Sequence, residues 1–206
     1  RASRTIHHRE RLSVGWSAVL GPACLYLQED IATDVLTMLT GAMEALSLGS
    51  PWHLSTDSGP VIDQTARDGI LSHIEIARAE GRLLKQTDAP KGGTFVPPTL
   101  IEIPGIAALE QEIFGPVLHV VRFKASDLDQ VIDDINATGY GLTFGLHSRI
   151  DDRVQHITDR IEAGNIYVNR NQIGAVVGSQ PFGGEGLSGT GPKAGGPNYL
   201  ARFCAP

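Results

Sequence analysis

Three short runs in the second half of this chain carry the residue types best suited to chemistry. They are Glu112-Ile113-Phe114-Gly115-Pro116, Gly164-Asn165-Ile166-Tyr167-Val168-Asn169-Arg170 and Gln180-Pro181-Phe182-Gly183-Gly184. Glycine crowds after Gly139, and such segments are backbone that must turn sharply or approach a ligand closely. Taken alone, the first run is also consistent with a turn into a strand that leaves Glu112 in solvent, and the glycine-rich runs with surface loops. Phe182 to Gly191 is not a phosphate loop. It lacks the strand before and the helix after, and no Gly-Lys-Ser/Thr occurs.

The remaining reactive types are less promising. His7, His8, His53, His73, His119, His147 and His156 show no metal-binding spacing; His73 and His156 fall on expected helices as surface residues, His119 and His147 on strands. Asp133-Asp134 and Asp151-Asp152 read as solvated helix faces or helix N-termini. Cys24 and Cys204 make neither a metal nor a disulfide pattern, which fits a reducing cytoplasm. Cys24 reads as a structural, half-buried cysteine rather than a nucleophile.

The elements that must position these runs alternate between strand and helix. Leu25 to Leu27 is a short strand, and Ile31, Val35, Met38, Leu39, Ala42, Met43 and Leu46 form a helical stripe stopped by Gly49-Ser50-Pro51. A second helix spans about Asp63 to Glu80 and ends at Gly81. Strands follow at 82–86, 99–103 and 117–123, then a helix at 127–136, a strand at 142–147, a helix at 151–162 and a strand at 166–169. This order predicts an α/β fold, a largely parallel sheet flanked by helices. Bulk properties agree with a globular protein: 41% hydrophobic, with a net charge of −6 that leaves no basic footprint for nucleic acid or anionic membrane. No apolar run reaches the roughly 20 residues of a membrane span.

In their order and spacing the three runs resemble the back half of an NAD(P)-dependent aldehyde dehydrogenase. The version Asn169-Arg170-Asn171-Gln172-Ile173-Gly174-Ala175-Val176-Val177-Gly178, followed by Gln180-Pro181-Phe182-Gly183-Gly184, resembles the glutamate-semialdehyde branch found in bifunctional proline-utilisation proteins. The resemblance implies the catalytic domain of that fold over residues 25–206, incomplete and without most of its cofactor domain. It implies that Glu112 accepts hydrogen bonds from the nicotinamide ribose of NAD, a task for which a carboxylate offers two acceptor oxygens in one plane. Phe114 is expected to pack beside that ribose or ring. Gly174 and Ala175 are expected to bind the substrate α-carboxylate through backbone N–H groups, as a small anion nest. Phe182 is expected to flank the aliphatic part of the substrate.

Oxidising an aldehyde to an acid needs a thiolate nucleophile, a hydride acceptor and a base that hydrolyses the thioester. The resemblance places the oxyanion-stabilising Asn, the glutamate base and the pyrophosphate-binding turn upstream of these runs, outside this sequence. The nucleophile is also missing. Residues 1–24 fit neither amphipathic helix nor alternating strand, but the genetic code offers a reading of them. A permissive codon choice for His7 to Cys24, displaced by one base, translates to a run resembling the family's nucleophile segment, with Gly-Gln-Arg-Cys in it. The displaced cysteine codon straddles Val19 and Leu20. Residues 1–24 are therefore expected to be a frame-shifted segment, and the chain as written has no catalytic cysteine there.

The implied activity is NAD-dependent oxidation of L-glutamate γ-semialdehyde to L-glutamate in proline catabolism. The partners are the small aldehyde and, by family, further copies in a homo-oligomer; no metal, nucleic acid or membrane is expected. The chain alone is expected to be inactive and poorly soluble, since loss of the cofactor domain would bare an apolar face. The alternatives are a degenerate, non-catalytic remnant or an oligomerisation module of the same fold.

Overall fold

The computed structural model describes residues 24–170, 172, 179–189 and 191–204. The chain divides into two compact units, with the boundary between Leu128 and Asp129.

In the first unit, β1 (Cys24–Gln28), β2 (Leu83–Gln86), β3 (Thr99–Glu102) and β4 (Val117–Phe123) form one sheet in the order β1-β4-β3-β2. The β1–β4 and β4–β3 pairs are parallel and only β2 runs antiparallel, at the edge. Two helices, α1 (Glu29–Glu44) and α2 (Gln64–Ala79), supply separate cores. Leu27, Leu100, Leu118 and Val120 pack with Ala32, Leu39 and Met43 of α1. Ile101, Val117 and Val121 pack with Ile70, Ile74 and Ala77 of α2. Alternate residues of β3 and β4 thus serve opposite cores, which is why both strands read as continuous apolar runs rather than as alternating ones.

Local signals set the helix ends. Glu29 and Asp30 place negative charge in the first turn of α1. The Asp63 carboxylate caps α2 by accepting from the Ala66 N–H at 2.7 Å. Gly81, at φ 71°, carries the chain out of α2 into β2 through the left-handed region.

One expectation is corrected here. His73 is half-buried rather than fully on the surface: its Nε2 lies 2.8 Å from Nε2 of His119, which is 1% exposed in the middle of β4. A neutral ring on each side provides one N–H and one lone pair, so the pair satisfies one ring nitrogen of each histidine. Helical spacing on α2 could not reveal this, because the partner is 46 residues away on a strand.

The second unit contains α3 (Leu128–Ala137), β5 (Tyr140–Gly141), β6 (Thr143–Leu146), α4 (Asp151–Arg160), β7 (Asn165–Val168) and β8 (Glu185–Gly186). β6 and β7 pair in parallel around the α4 crossover; β5 and β8 form a short antiparallel ladder. The expected strand over 142–147 is β6, preceded by the two-residue β5, and the glycine-rich tail contributes a strand. Asn136 closes the end of α4, donating to the Arg160 carbonyl at 2.9 Å and accepting from the Glu162 N–H at 3.0 Å. Arg160 also joins Asp129 and Asp133, while His156 stays exposed beside Asp129. Two glycines are required by close backbone approach. A Cβ on Gly141 would stand 2.1 Å from the Glu162 carbonyl oxygen, and one on Gly164 1.9 Å from that of Gly183.

Two outcomes follow from this packing. Burial, and then the charge of Arg82, hold His73 below the ordinary imidazole value. The unfolded chain then takes the proton more readily than the folded one, so stability is fully present above about pH 6.5 and is lost as pH falls through it. The urea midpoint of the first unit is expected to drop with acidification, and His73→Gln to flatten that drop; identical pH profiles for the two proteins would contradict the account. Gly164→Ala is expected to destabilise the second unit by about 3 kcal/mol, because two backbones must separate to admit the methyl. Chemical denaturation measures this, and a loss below about 1 kcal/mol would mean that the approach is easily relaxed.

Candidate functional site

The first unit presents Glu112-Ile113-Phe114-Gly115-Pro116 just ahead of β4. Ile113 is 7% exposed and belongs to the core on the α2 side. Its neighbours face outward: Glu112 is exposed and Phe114 is 46% exposed. A buried residue between two exposed ones fixes the direction of both. The backbone beyond is pinned as well, since Thr99 N–H donates to the Pro116 carbonyl at 2.9 Å and Val117 N–H to that of Gly115 at 2.8 Å. Among the described residues the Glu112 carboxylate has no hydrogen bond or ion pair. Glu112 and Phe114, the two residues expected at a nicotinamide ribose, are thus both exposed on either side of buried Ile113.

Cys24 opens β1, and its backbone pairs with His119 in the parallel ladder. The chain thus enters β1 alongside β4, the strand into which Glu112–Pro116 leads. Cys24 packs against the core on the α2 side, and burial pushes its thiol up to about 12. A thiol this far above neutral pH is protonated and not a nucleophile. Val19 and Leu20, where the displaced cysteine codon falls, lie outside the described residues.

In the second unit, Asn169 and Arg170 follow β7. Asn169 takes φ 55°, the single positive value at a non-glycine among the described residues. Its side chain accepts from Ser148 N–H at 3.0 Å and donates to Ser148 O at 2.8 Å, so the turn after β7 is tied to the turn after β6. Asn tolerates this conformation better than most side chains. The Arg170 guanidinium stands 5.1 Å from the centre of the Tyr167 ring. His147 sits below the ordinary imidazole value because it is buried, a shift partly offset by a hydrogen bond with the Arg170 backbone. Gly174 and Ala175 lie outside the described residues. Phe182 is half-buried, and its N–H and carbonyl exchange hydrogen bonds with Ala194 at 3.0 and 2.8 Å.

Asn165 and Asn169 were missed as working residues. Both were in plain view within the Gly-Asn-Ile-Tyr-Val-Asn-Arg run, but only the fold shows that each amide bridges a donor and an acceptor from one neighbouring segment. No group of three or more His, Cys, Asp or Glu able to hold a metal occurs among the described residues. No described helix is long and apolar enough to cross a membrane.

The cysteines provide a direct check. Iodoacetamide at neutral pH is expected to label the exposed Cys204 and to leave Cys24 unmodified until the chain is unfolded. Comparable labelling of both in the native protein would contradict the burial of Cys24.

Comparison with known proteins identifies the family. The aldehyde dehydrogenase family profile matches residues 20–206. A bifunctional protein PutA of Klebsiella aerogenes is 55% identical over 187 residues, which is 87% of this chain and 14% of that protein. A 1-pyrroline-5-carboxylate dehydrogenase of Geobacillus sp. (strain WCH70) is 40% identical over 191 residues, 90% of this chain and 37% of that one. A crystal structure of a mutant proline utilization A (PutA) from Bradyrhizobium japonicum matches with a TM-score of 0.90 at 48% identity, over 98% of this chain and 21% of the other. The chain thus spans well under half the length of each of these relatives. It belongs to the aldehyde dehydrogenase family.

Proposed function

We propose that this chain carries the nicotinamide-ribose contact and much of the substrate site of an oxidoreductase. The reaction is NAD-dependent oxidation of L-glutamate γ-semialdehyde to L-glutamate, as in proline catabolism. The observation that carries the reading is the pairing of exposed Glu112 and Phe114 around buried Ile113, in a chain whose relatives are named for this chemistry. When bound, NAD supplies the hydride acceptor. Glu112 holds the ribose hydroxyls by accepting their hydrogen bonds, and Phe114 lies against the ribose or ring. Gly174 and Ala175 take the substrate α-carboxylate on backbone N–H groups, and Phe182 lies along its methylenes. By family, the assembled enzyme is a homo-oligomer. The unpaired cysteines suit a reducing cytoplasm.

The polypeptide as written lacks the nucleophile for this reaction. Its cysteines are Cys24 and Cys204. The first is half-buried with its thiol pushed up to about 12, and the second follows the glycine-rich tail. The frame-shift reading of residues 1–24 accounts for the loss.

The test has a binding arm and a turnover arm. L-glutamate, the product, is expected to bind the chain in calorimetry and to lose about tenfold or more in affinity with Phe182→Ala. Incubation with the semialdehyde and NAD is expected to form no NADH. Absence of L-glutamate binding would overturn the substrate assignment. NADH formation by the unaltered chain would overturn the lost-nucleophile reading. Resequencing the DNA for the first thirty codons then decides between a recording error, which restores Gly-Gln-Arg-Cys, and a true lesion.

A further inference from the structure

We infer that Asn165 is a positioning residue for Phe182, setting the direction of the ring through the backbone on either side of it. The functional consequence rests on the substrate role proposed above for Phe182; the geometry does not. Asn165 opens β7 and extends one planar amide to the Gln180–Gly184 run. Its Nδ2 donates to the Pro181 carbonyl at 3.0 Å. Its Oδ1 accepts from the Gly183 N–H at 3.1 Å. The residue enclosed by those two bonds is Phe182.

The backbone of Phe182 itself is engaged by a different segment, through the paired bonds with Ala194. Four consecutive backbone groups are therefore held: the Pro181 carbonyl, the Phe182 N–H, the Phe182 carbonyl and the Gly183 N–H. Asn165 supplies both bonds to the outer pair, and Ala194 both to the inner pair. With these groups fixed, φ and ψ of Phe182 have no freedom to turn, and the ring is left with its own rotamers alone. Gly164 adds a steric stop, because its missing Cβ lets the Gly183 carbonyl approach the start of β7.

The residue type is demanding. One donor and one acceptor must come from a single short, flat group, as in a peptide bond, and Asn provides that. Asp at the same position accepts from Gly183 but presents a second acceptor to the Pro181 carbonyl. Ala provides neither bond. An Asn whose role was only to stabilise the loop would weaken binding independently of Phe182. An Asn that works through Phe182 loses its effect once the ring is gone, and a double-mutant cycle separates these cases.

The experiment uses the 206-residue chain and its Asn165→Ala, Asn165→Asp, Phe182→Ala and Asn165→Ala/Phe182→Ala forms. Two ligand-free readouts, the NMR order of the Phe182 ring and hydrogen exchange at the Gly183 N–H, are read beside calorimetric titration with L-glutamate. Asn165→Ala is expected to loosen the ring, to expose the Gly183 N–H and to weaken L-glutamate binding about tenfold. The double variant is expected to bind no more weakly than Phe182→Ala, and Asn165→Asp to fall between wild type and Asn165→Ala. An unchanged ring in Asn165→Ala, or losses that multiply in the double variant, would overturn the inference. If the wild-type chain binds no L-glutamate, the substrate reading of Phe182 fails, while ring order and Gly183 exchange still decide the positioning role. Should Asn165→Ala not fold, the isosteric Asn165→Asp carries the same comparison.

Discussion

The first unit depends on the burial of β4 from every side. Val117–Phe123 is hydrogen-bonded to β1 on one edge and to β3 on the other, and its faces feed two different cores. From Val117 to Val121 such a strand has no solvent face on which to leave a polar group, and the buried His119 ring meets His73 of α2. The same burial gives the Glu112–Pro116 run its rigidity. Ile113 enters the core that β4 and α2 share, and Pro116 accepts a ladder hydrogen bond from Thr99 before β4 begins. The exposed Glu112 and Phe114 are directed by what is buried between and after them.

The second unit reaches the same end by other means. Its sheets are short, four residues in β6 and β7 and two in β5 and β8. Little apolar area is available to hold the glycine-rich tail in place. Close backbone approach and asparagine amides substitute for it. Gly141 and Gly164 admit a neighbouring carbonyl where any Cβ would collide. Asn136, Asn165 and Asn169 each bridge one donor and one acceptor from a second segment. An amide used in this way is a detached peptide group, able to continue hydrogen-bonded pairing where the strand has already ended.

What was legible in the sequence follows from these differences. The helices and the longer strands of the first unit were legible because period and burial coincide there: the stripe from Ile31 to Leu46 and the apolar run 117–123 become α1 and β4. The motif order was legible too, and it led to the family that the comparisons show. The His73–His119 contact was not, since no local pattern marks a pair joined across a helix and a strand. β5 and β8 were hidden by their length, because two residues carry no period, and their pairing depends on where the tail returns. Asn165 and Asn169 were visible as letters of a motif, yet their partners are backbone atoms, which have no identity in a sequence.

Cys24 shows why fold and chemistry can part company in such a chain. The position where β1 starts must satisfy the core on the α2 side, and a small, half-buried thiol does so whatever lies upstream. That same packing removes it from service, because desolvation disfavours the thiolate and drives the thiol to about 12. A nucleophile needs the opposite environment, partly exposed and near positive potential. Nothing in the folding of β1 or in its ladder with β4 therefore depends on a reactive thiol. The packing of β1 and β4 that sets Ile113, and with it Glu112 and Phe114, is thus independent of any reactive thiol at Cys24.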